Sequence, residues 1–310
     1  MVLRQVLEIF DIIDSPKLEA SDLINFFNKK GCHGISTRFI EGEHGEVEFI
    51  RVVLPGQNGK IKGGNCPTIN IIGQLGGIGA YPSIKGFVSD GDGALAALVV
   101  ALKIAEMQEM GCYMEGDVIV STHICKTTPI IPRKPVPFLG MPLPIDVLME
   151  NIVDPEADAI LSIDTTKGNR ILNQRGFAIT PTVKEGYILK VNDDLLDIMS
   201  TVTGLPPSVI AISTQDITSY NNNIYHLNSI MQPAVFTDAP VVGVAITSQV
   251  PVAGSATGAT NFADIEMIAR FCIEVAKYYG TGECRFYDNE EYEKLVSIYG
   301  SLKQLQKKEF

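Results

Sequence analysis

Apolar and polar residues along this chain follow two periods in turn. In "LRQVLEIFDIID" they recur at helical spacing and put Leu3, Val6, Leu7 and Phe10 on one face. "SDLINFFNKKG" reads as a second helix, running from a Ser21 cap to a stop at Gly31. The period then shortens to two. "GISTRFIEGEHGEVEFIRVVLPG" gives two extended segments around "GEHGE", a hairpin, and "PTINIIGQLGG" is a buried strand opening into a glycine-rich loop.

From there strands and helices alternate. A helix from about Gly91 to Met110 precedes the strand "GDVIVSTHIC", and a proline-rich loop covers residues 129 to 144. A helix near "PIDVLMENIV" leads to the strand "DAILSID" and a further strand "GYILKVN". "DDLLDIMSTVTG" is a helix with a glycine stop, while "SVIAIST" and "VVGVAIT" are strands. "NFADIEMIARFCIEVAKYYG" is a long helix, and "NEEYEKLVSIYGSLKQLQKKEF" reads as one more with a charged end. Short β-branched strands alternating with helices predict an α/β fold, a three-layer αβα sandwich with a mixed, largely parallel central sheet. No composition shift marks a linker and no repeat is evident. Residues 1–310 therefore read as one domain, with an N-terminal helical segment 1–31 and a C-terminal helical tail 286–310.

Composition narrows the setting. The longest uncharged apolar stretch, Gly93 to Leu102, is shorter than the roughly 18 residues that span a bilayer, so it reads as a core helix. "MVLRQVLEIFDIID" carries acids where a signal peptide is apolar, and the six cysteines are scattered without a C-x-x-C pair. A cytoplasmic protein with reduced thiols is expected. The net charge of −11 argues against nucleic acid or an anionic membrane as partner. A small-molecule or peptide-like ligand is the expected partner, with homo-oligomerisation left open.

In an open α/β sheet, ligands bind at the carboxyl ends of the strands. That rule selects the loops "GQLGGIGAYPS", "STHICKTTPIIP", "SIDTTKGNR" and "ITSQVPVAGSATGATN". "GFVSDGDGALAALVVALKIAEM" sets Asp90 and Asp92 at the mouth of the apolar helix. Two readings stand for these acids: capping of the free N–H groups, or ligation of a metal. His123 ends a strand and taken alone reads as structural. Asp164 ends "AILSI", where an acid points into the crevice. Gly73, Gly76, Gly77 and Gly79 fit neither a P-loop nor a dinucleotide fingerprint. "GSATGAT" is either an anion site or a simple cap. His226, in "SYNNNIYHLNS", caps a turn or meets a ligand. No G-x-S-x-G elbow or H-E-x-x-H is present. Cys125 shares a strand face with His123, which by itself makes no nucleophile–base pair.

The order of these pieces resembles the di-zinc aminopeptidases and carboxypeptidases. In that family a strand ends in a His-x-Asp motif, and an Asp-bearing turn opens a buried, alanine-rich helix. A strand ending in two glutamates and a strand ending in an acid follow. A last loop with a histidine then precedes a long helix. "INIIGQLGG", "GFVSDGDGALAALVVAL", "GDVIVSTHIC", "DAILSIDTT" and "VAGSATGATNFADIEMI" follow that order, over roughly residues 45 to 280. The resemblance implies Asp90 as a bridging acid, Asp164 as the acid of one metal site and His123 as a substitute ligand, holding one zinc ion or none. It implies that these three converge, with Gln74, Ser255, Thr257 and His226 on the ligand. The departures are large. Gln74 and Gly76 stand at the His-x-Asp positions, Thr122 and His123 at the glutamate pair, and Ser255 to Thr257 at the last histidine. The general base is lost.

The full-length pattern, with "RGFAITPTVKEGYILKVNDDLLD", "ITSYNNNIYHLNSIMQPA" and "APVVGVAITS", is similar to the bacterial and archaeal family known as domain of unknown function 1177. Two functions stand open: a divergent metallopeptidase-like hydrolase of an amide or peptide-like small substrate, and a non-catalytic small-molecule-binding or scaffolding descendant of the zinc peptidase fold. Shell-forming zinc aminopeptidases carry an extra domain where this chain has only residues 77 to 89. Any oligomer is therefore expected to use the N-terminal helices or the hairpin near Gly45.

Overall fold

The computed structural model describes residues 1–42, 45–81, 84–132, 134–212 and 229–306. Helix α1 (Leu3–Ile13) buries Gln5, Val6, Ile9 and Ile13. Leu3 and Leu7, expected on the core face, are 42% and 44% exposed. The stripe Val2, Val6, Ile9, Ile13 is the longer run at helical spacing, and it wins the contact with the core. Helix α2 (Ala20–Lys29) is capped by Glu19, not Ser21, through a reciprocal box with Asp22.

Strand β1 (Ile35–Gly42) pairs antiparallel with β2 (Gly45–Leu54) from Ile35↔Val52 to Gly42↔Gly45, the expected hairpin. Strand β3 (Ile69–Gly73) follows, then the short β4 (Gly79–Tyr81) and β5 (Ile84–Lys85). Next come α3 (Asp92–Glu109), β6 (Val118–Ile124), β7 (Thr128–Ile131), β8 (Phe138–Leu139) and α4 (Ile145–Ile152). The proline-rich stretch is thus not all loop: β7 and β8 join β4 and β5 in a small second sheet. After β9 (Ala159–Thr165) come β10 (Gly176–Ile179), β11 (Thr182–Lys184) and β12 (Tyr187–Leu189). The sequence pattern does not announce the first two; Pro181, without an N–H, separates them. Helix α5 (Asp193–Thr203) ends at Gly204, whose φ is +71°. The expected strand "SVIAIST" amounts to one bridge, Val209 to Ile179, and its last residues lie outside the described ones. Strand β13 (Val241–Thr247) and α6 (Phe262–Thr281) stand as expected. Helix α7 (Asn289–Tyr299) stops at Gly300, φ +82°, so the tail is a helix and a 3-10 turn, Lys303–Leu305, instead of one helix.

Among the described residues the main sheet has nine strands in the order β1-β2-β6-β3-β9-β13-β11-β12, with β10 also on β13. Its centre, β6-β3-β9-β13, is parallel, and the flanking pairings are antiparallel. Alternation along the strands separates two apolar layers. Val118 and Val120, Leu161 and Ile163, and Val244 and Ile246 meet α1, α3, α5 and α6. Phe49, Ile72, Ile160 and Ala245 meet α4 and the 3-10 segment Ser229–Val235. The result is a three-layer sandwich. From Ala94 to Leu102 helix α3 is apolar all round because it lies under α1 and α6 and on β3, β6 and β9. No helix among the described residues is long and apolar enough to cross a membrane.

Candidate functional site

The parallel centre brings the ends of β3, β6, β9 and β13 to one edge. There α3 begins in direct contact with the strands. A Cβ on Gly93 would stand 2.5 Å from the Gln74 carbonyl and 2.7 Å from that of Ile163, so only glycine lets the helix approach so closely. The preceding 3-10 turn, Ser89–Gly91, is pinned on both sides. The Ser89 hydroxyl and Asp90 N–H both donate to the Gly254 carbonyl, at 3.0 and 2.6 Å. The Thr165 hydroxyl donates to the Ser89 carbonyl at 3.0 Å.

Neither acid of the turn caps its helix; the N-cap is Gly91 and no side chain bonds there. Asp92 accepts from the Lys167 ammonium at 2.5 Å and from the Thr260 hydroxyl at 2.8 Å. Lys167 donates a second bond, 2.8 Å, to the Ala259 carbonyl. Both partners are sealed from solvent, with side chains 3% and 0% exposed. Burial pushes the Asp92 carboxyl up, while Lys167 and Thr260 pull it down. Asp90 accepts the Leu139 N–H. Burial raises it to about 7, Asp92 adds to the rise, and the Leu139 bond and Lys167 oppose it. In the first turn of α6, Asp264 is raised by burial too, against the pull of Arg175, whose Nε is 3.4 Å away, and of Lys167.

On the opposite face of the sheet the polar groups are less well paired. His123 faces Phe49 across the β2–β6 pair, ring centroids 5.9 Å apart, and burial lowers its pKa to about 4. At neutral pH the imidazole is therefore uncharged, and among the described residues its buried Nδ1 has no hydrogen-bond partner. The Thr247 hydroxyl, at the end of β13, and the Gln232 amide nitrogen, in the segment Ser229–Val235, are likewise buried without partners among the described residues. Asp164 accepts from the Thr165 N–H at 2.7 Å and the Ser229 hydroxyl at 3.4 Å. Gln74 is tied into the protein: its amide donates to the Ser162 hydroxyl at 2.7 Å and to the carbonyls of Ser229 and Ile230 at 3.3 and 3.0 Å. Leu75 follows at φ +57°, a left-handed conformation unusual for leucine.

The expected trio is not gathered into a metal-holding group. Asp90 stands at the foot of α3, and His123 and Asp164 are on the face covered by Ser229–Val235. Among the described residues no three His, Cys, Asp or Glu side chains form a group able to hold a metal ion. A di-zinc centre does not fit the ligand positions that the resemblance supplies. Gln74 is spent on internal bonds, and a side chain on Gly76 would collide with the His123 carbonyl. Ser255 is buried, but the cap of α6 is Asn261, whose side chain accepts the Ala263 N–H at 3.1 Å. Thr257 opens a 3-10 turn, Thr257–Ala259, and His226 lies outside the described residues. The sequence pattern does not single out Lys167, Gln232 or Thr247. Thr247 ends an apolar strand just as Asp164 does, so the same rule points to it. Lys167 and Asp92 are 75 positions apart, and nothing local announces their pairing.

Residues 38–309 match the family described as "Protein of unknown function (DUF1177)". The chain belongs to this family. No curated protein matches the DUF1177 chain in sequence. Among solved structures it is similar to a tomato leucine aminopeptidase, at TM-score 0.51 and 11% identity over 88% of this chain and 61% of that one. It is also similar to a glutaminyl cyclase of an Acidobacteriales bacterium, at TM-score 0.49 and 10% identity over 91% and 94% of the two chains. A third is the LapA aminopeptidase of Legionella pneumophila, at TM-score 0.48 and 11% identity over 92% and 71%. The likeness to the tomato enzyme is one of fold.

Proposed function

We propose that this DUF1177 protein binds a small amide or peptide-like molecule at the carboxyl edge of its sheet, as a non-catalytic descendant of the zinc peptidase fold. One observation carries the reading: His123 Nδ1, Thr247 Oγ1 and Gln232 Nε2 are buried and, among the described residues, unpartnered. Each unmet buried group costs about 1–3 kcal/mol, and native proteins leave few of them. The three need both kinds of partner. Gln232 Nε2 can only donate, the threonine hydroxyl does both, and the neutral imidazole does either according to its tautomer. An amide offers a carbonyl and an N–H together. Asp164, accepting from Ser229 nearby, adds a further acceptor for an N–H.

Hydrolysis is the second reading, favoured by Asp90: a buried carboxyl held near 7 at this edge has the pKa of a general acid or base. Thermal-shift titration with N-acetyl amino-acid amides and dipeptides, with mass analysis of the recovered probe, tests both. Binding is expected to be saturable, with the probe recovered intact and affinity about tenfold lower in His123→Phe, the worth of one hydrogen bond. Cleavage that disappears in Asp90→Asn favours the hydrolase, and neither binding nor cleavage of any probe sinks the proposal. All six cysteines are free, which supports a reducing compartment such as the cytoplasm. Both apolar layers pack on the same sheet, which supports one domain over residues 1–310.

A further inference from the structure

We propose that the Lys167 ammonium is the resident cation of the α3 mouth, standing where an exchangeable metal ion would otherwise neutralise Asp92. The claim goes beyond ligand binding and is independent of it, since a hydrolase could carry the same internal cation.

The geometry supports it in three ways. First, the Lys167 ammonium is held between two oxygens. It donates to the Asp92 carboxylate at 2.5 Å and to the Ala259 carbonyl at 2.8 Å, with 3% of its side chain exposed. A lysine is almost never so buried unless its charge is matched. Second, its surroundings are those of a hard cation. The Asp92 carboxylate and the Ala259 carbonyl present oxygen to it, the Thr260 hydroxyl donates to the other Asp92 oxygen, and Asp90 is close enough to feel the ammonium's charge. Carboxylate and carbonyl oxygens are the donors that Mg²⁺ and Mn²⁺ select. Third, the loop that delivers the lysine is built into the site. The Lys167 carbonyl accepts from the Val252 N–H at 3.0 Å, and Gly254 in the same stretch holds the Asp90 turn. The positive charge is thus covalently fixed and its position set by backbone bonds. This explains why the Asp-Gly-Asp turn can persist without a metal-binding group around it among the described residues.

Lys167→Ala removes the ammonium and leaves a space lined by the same oxygens. Wild-type protein and the variant, both stripped with chelator, are titrated with Mn²⁺ and followed by thermal shift and by the electron paramagnetic resonance of free Mn²⁺. Lys167→Ala is expected to bind Mn²⁺ at least about tenfold more tightly than the wild type. Its Tm should rise by roughly 5 °C at a hundredfold excess over the dissociation constant. Asp92→Asn in the same background should abolish the gain. A folded Lys167→Ala protein that responds to Mn²⁺ no differently from the wild type would overturn the proposal. Should Lys167→Ala not fold at any Mn²⁺ concentration, Asp92→Asn/Lys167→Met decides the matter. A cation and its counter-ion removed together should leave a folded protein with Tm within roughly 5 °C of wild type, and an unfolded double variant would overturn the claim.

Discussion

Asp90 and His123 are displaced from their ordinary pKa values by the same cause, burial, and in opposite directions. Folded Asp90 holds its proton up to about 7 while the unfolded chain releases it near 3.8. Across that window folding takes up a proton, so the Asp90 contribution to stability is present at low pH and is lost as pH rises to 7. His123 runs the other way. The unfolded imidazole is protonated below 6.5 and the folded one only below about 4, so its contribution is lost as pH falls between them. In chemical denaturation from pH 4 to 7, Asp90→Asn should remove a decline of up to about 1.4 kcal/mol per pH unit, and His123→Gln should remove the opposing one. If neither substitution changes the pH slope, both groups titrate normally and the burial argument is wrong. Thr247→Val replaces an unpartnered hydroxyl by a methyl of the same shape. Unfolding should show it unchanged or stabilised by about 1 kcal/mol, while amide binding weakens; a marked loss of stability would mean the hydroxyl already has a partner. At this scale the sequence was half legible. Asp90, His123 and Asp164 stood out as polar residues at helix and strand ends. What could not be seen was their environment, which Leu139, Gly254 and Phe49 supply from distant parts of the chain.

Among the elements, hydrophobic period decided well wherever a segment was long. Helices α3 and α6 and strands β3, β6, β9 and β13 all follow from apolar runs that only a buried layer accommodates. Short pieces were missed because two to four residues carry no period: β7 and β8 hid among prolines, and β10 and β11 beside Pro181. Helix α1 shows a subtler limit. Two overlapping stripes were available, and Val2 with Ile9 and Ile13 outweighed Leu3 and Leu7 only because α3 and α6 receive them. The α3–sheet contact makes its own prediction. Gly93→Ala must push the helix off the Gln74 and Ile163 carbonyls, and denaturant melts should show a loss of about 1–3 kcal/mol, against the gain that alanine normally brings inside a helix. A stabilised variant would contradict that packing.

For the molecule as a whole, the alternation of strands and helices was enough to fix three layers and the sheet edge that carries the candidate site. It was not enough to say on which face of that edge polar groups stay unpaired. On the α3 side each carboxylate has acquired an internal partner, Lys167 above all. On the Ser229–Val235 side three buried polar atoms still lack one. That contrast is the central claim, and His123 reports on it directly. The measurement is the side-chain nitrogen-15 spectrum of His123 at pH 7, titrated with N-acetyl amino-acid amides and dipeptides. The expected result is a neutral imidazole whose Nδ1 resonance is that of an unbonded nitrogen in the free protein and moves, saturably, to a hydrogen-bonded position with at least one probe. An Nδ1 already hydrogen-bonded in the free protein, or one that no probe shifts, would contradict it.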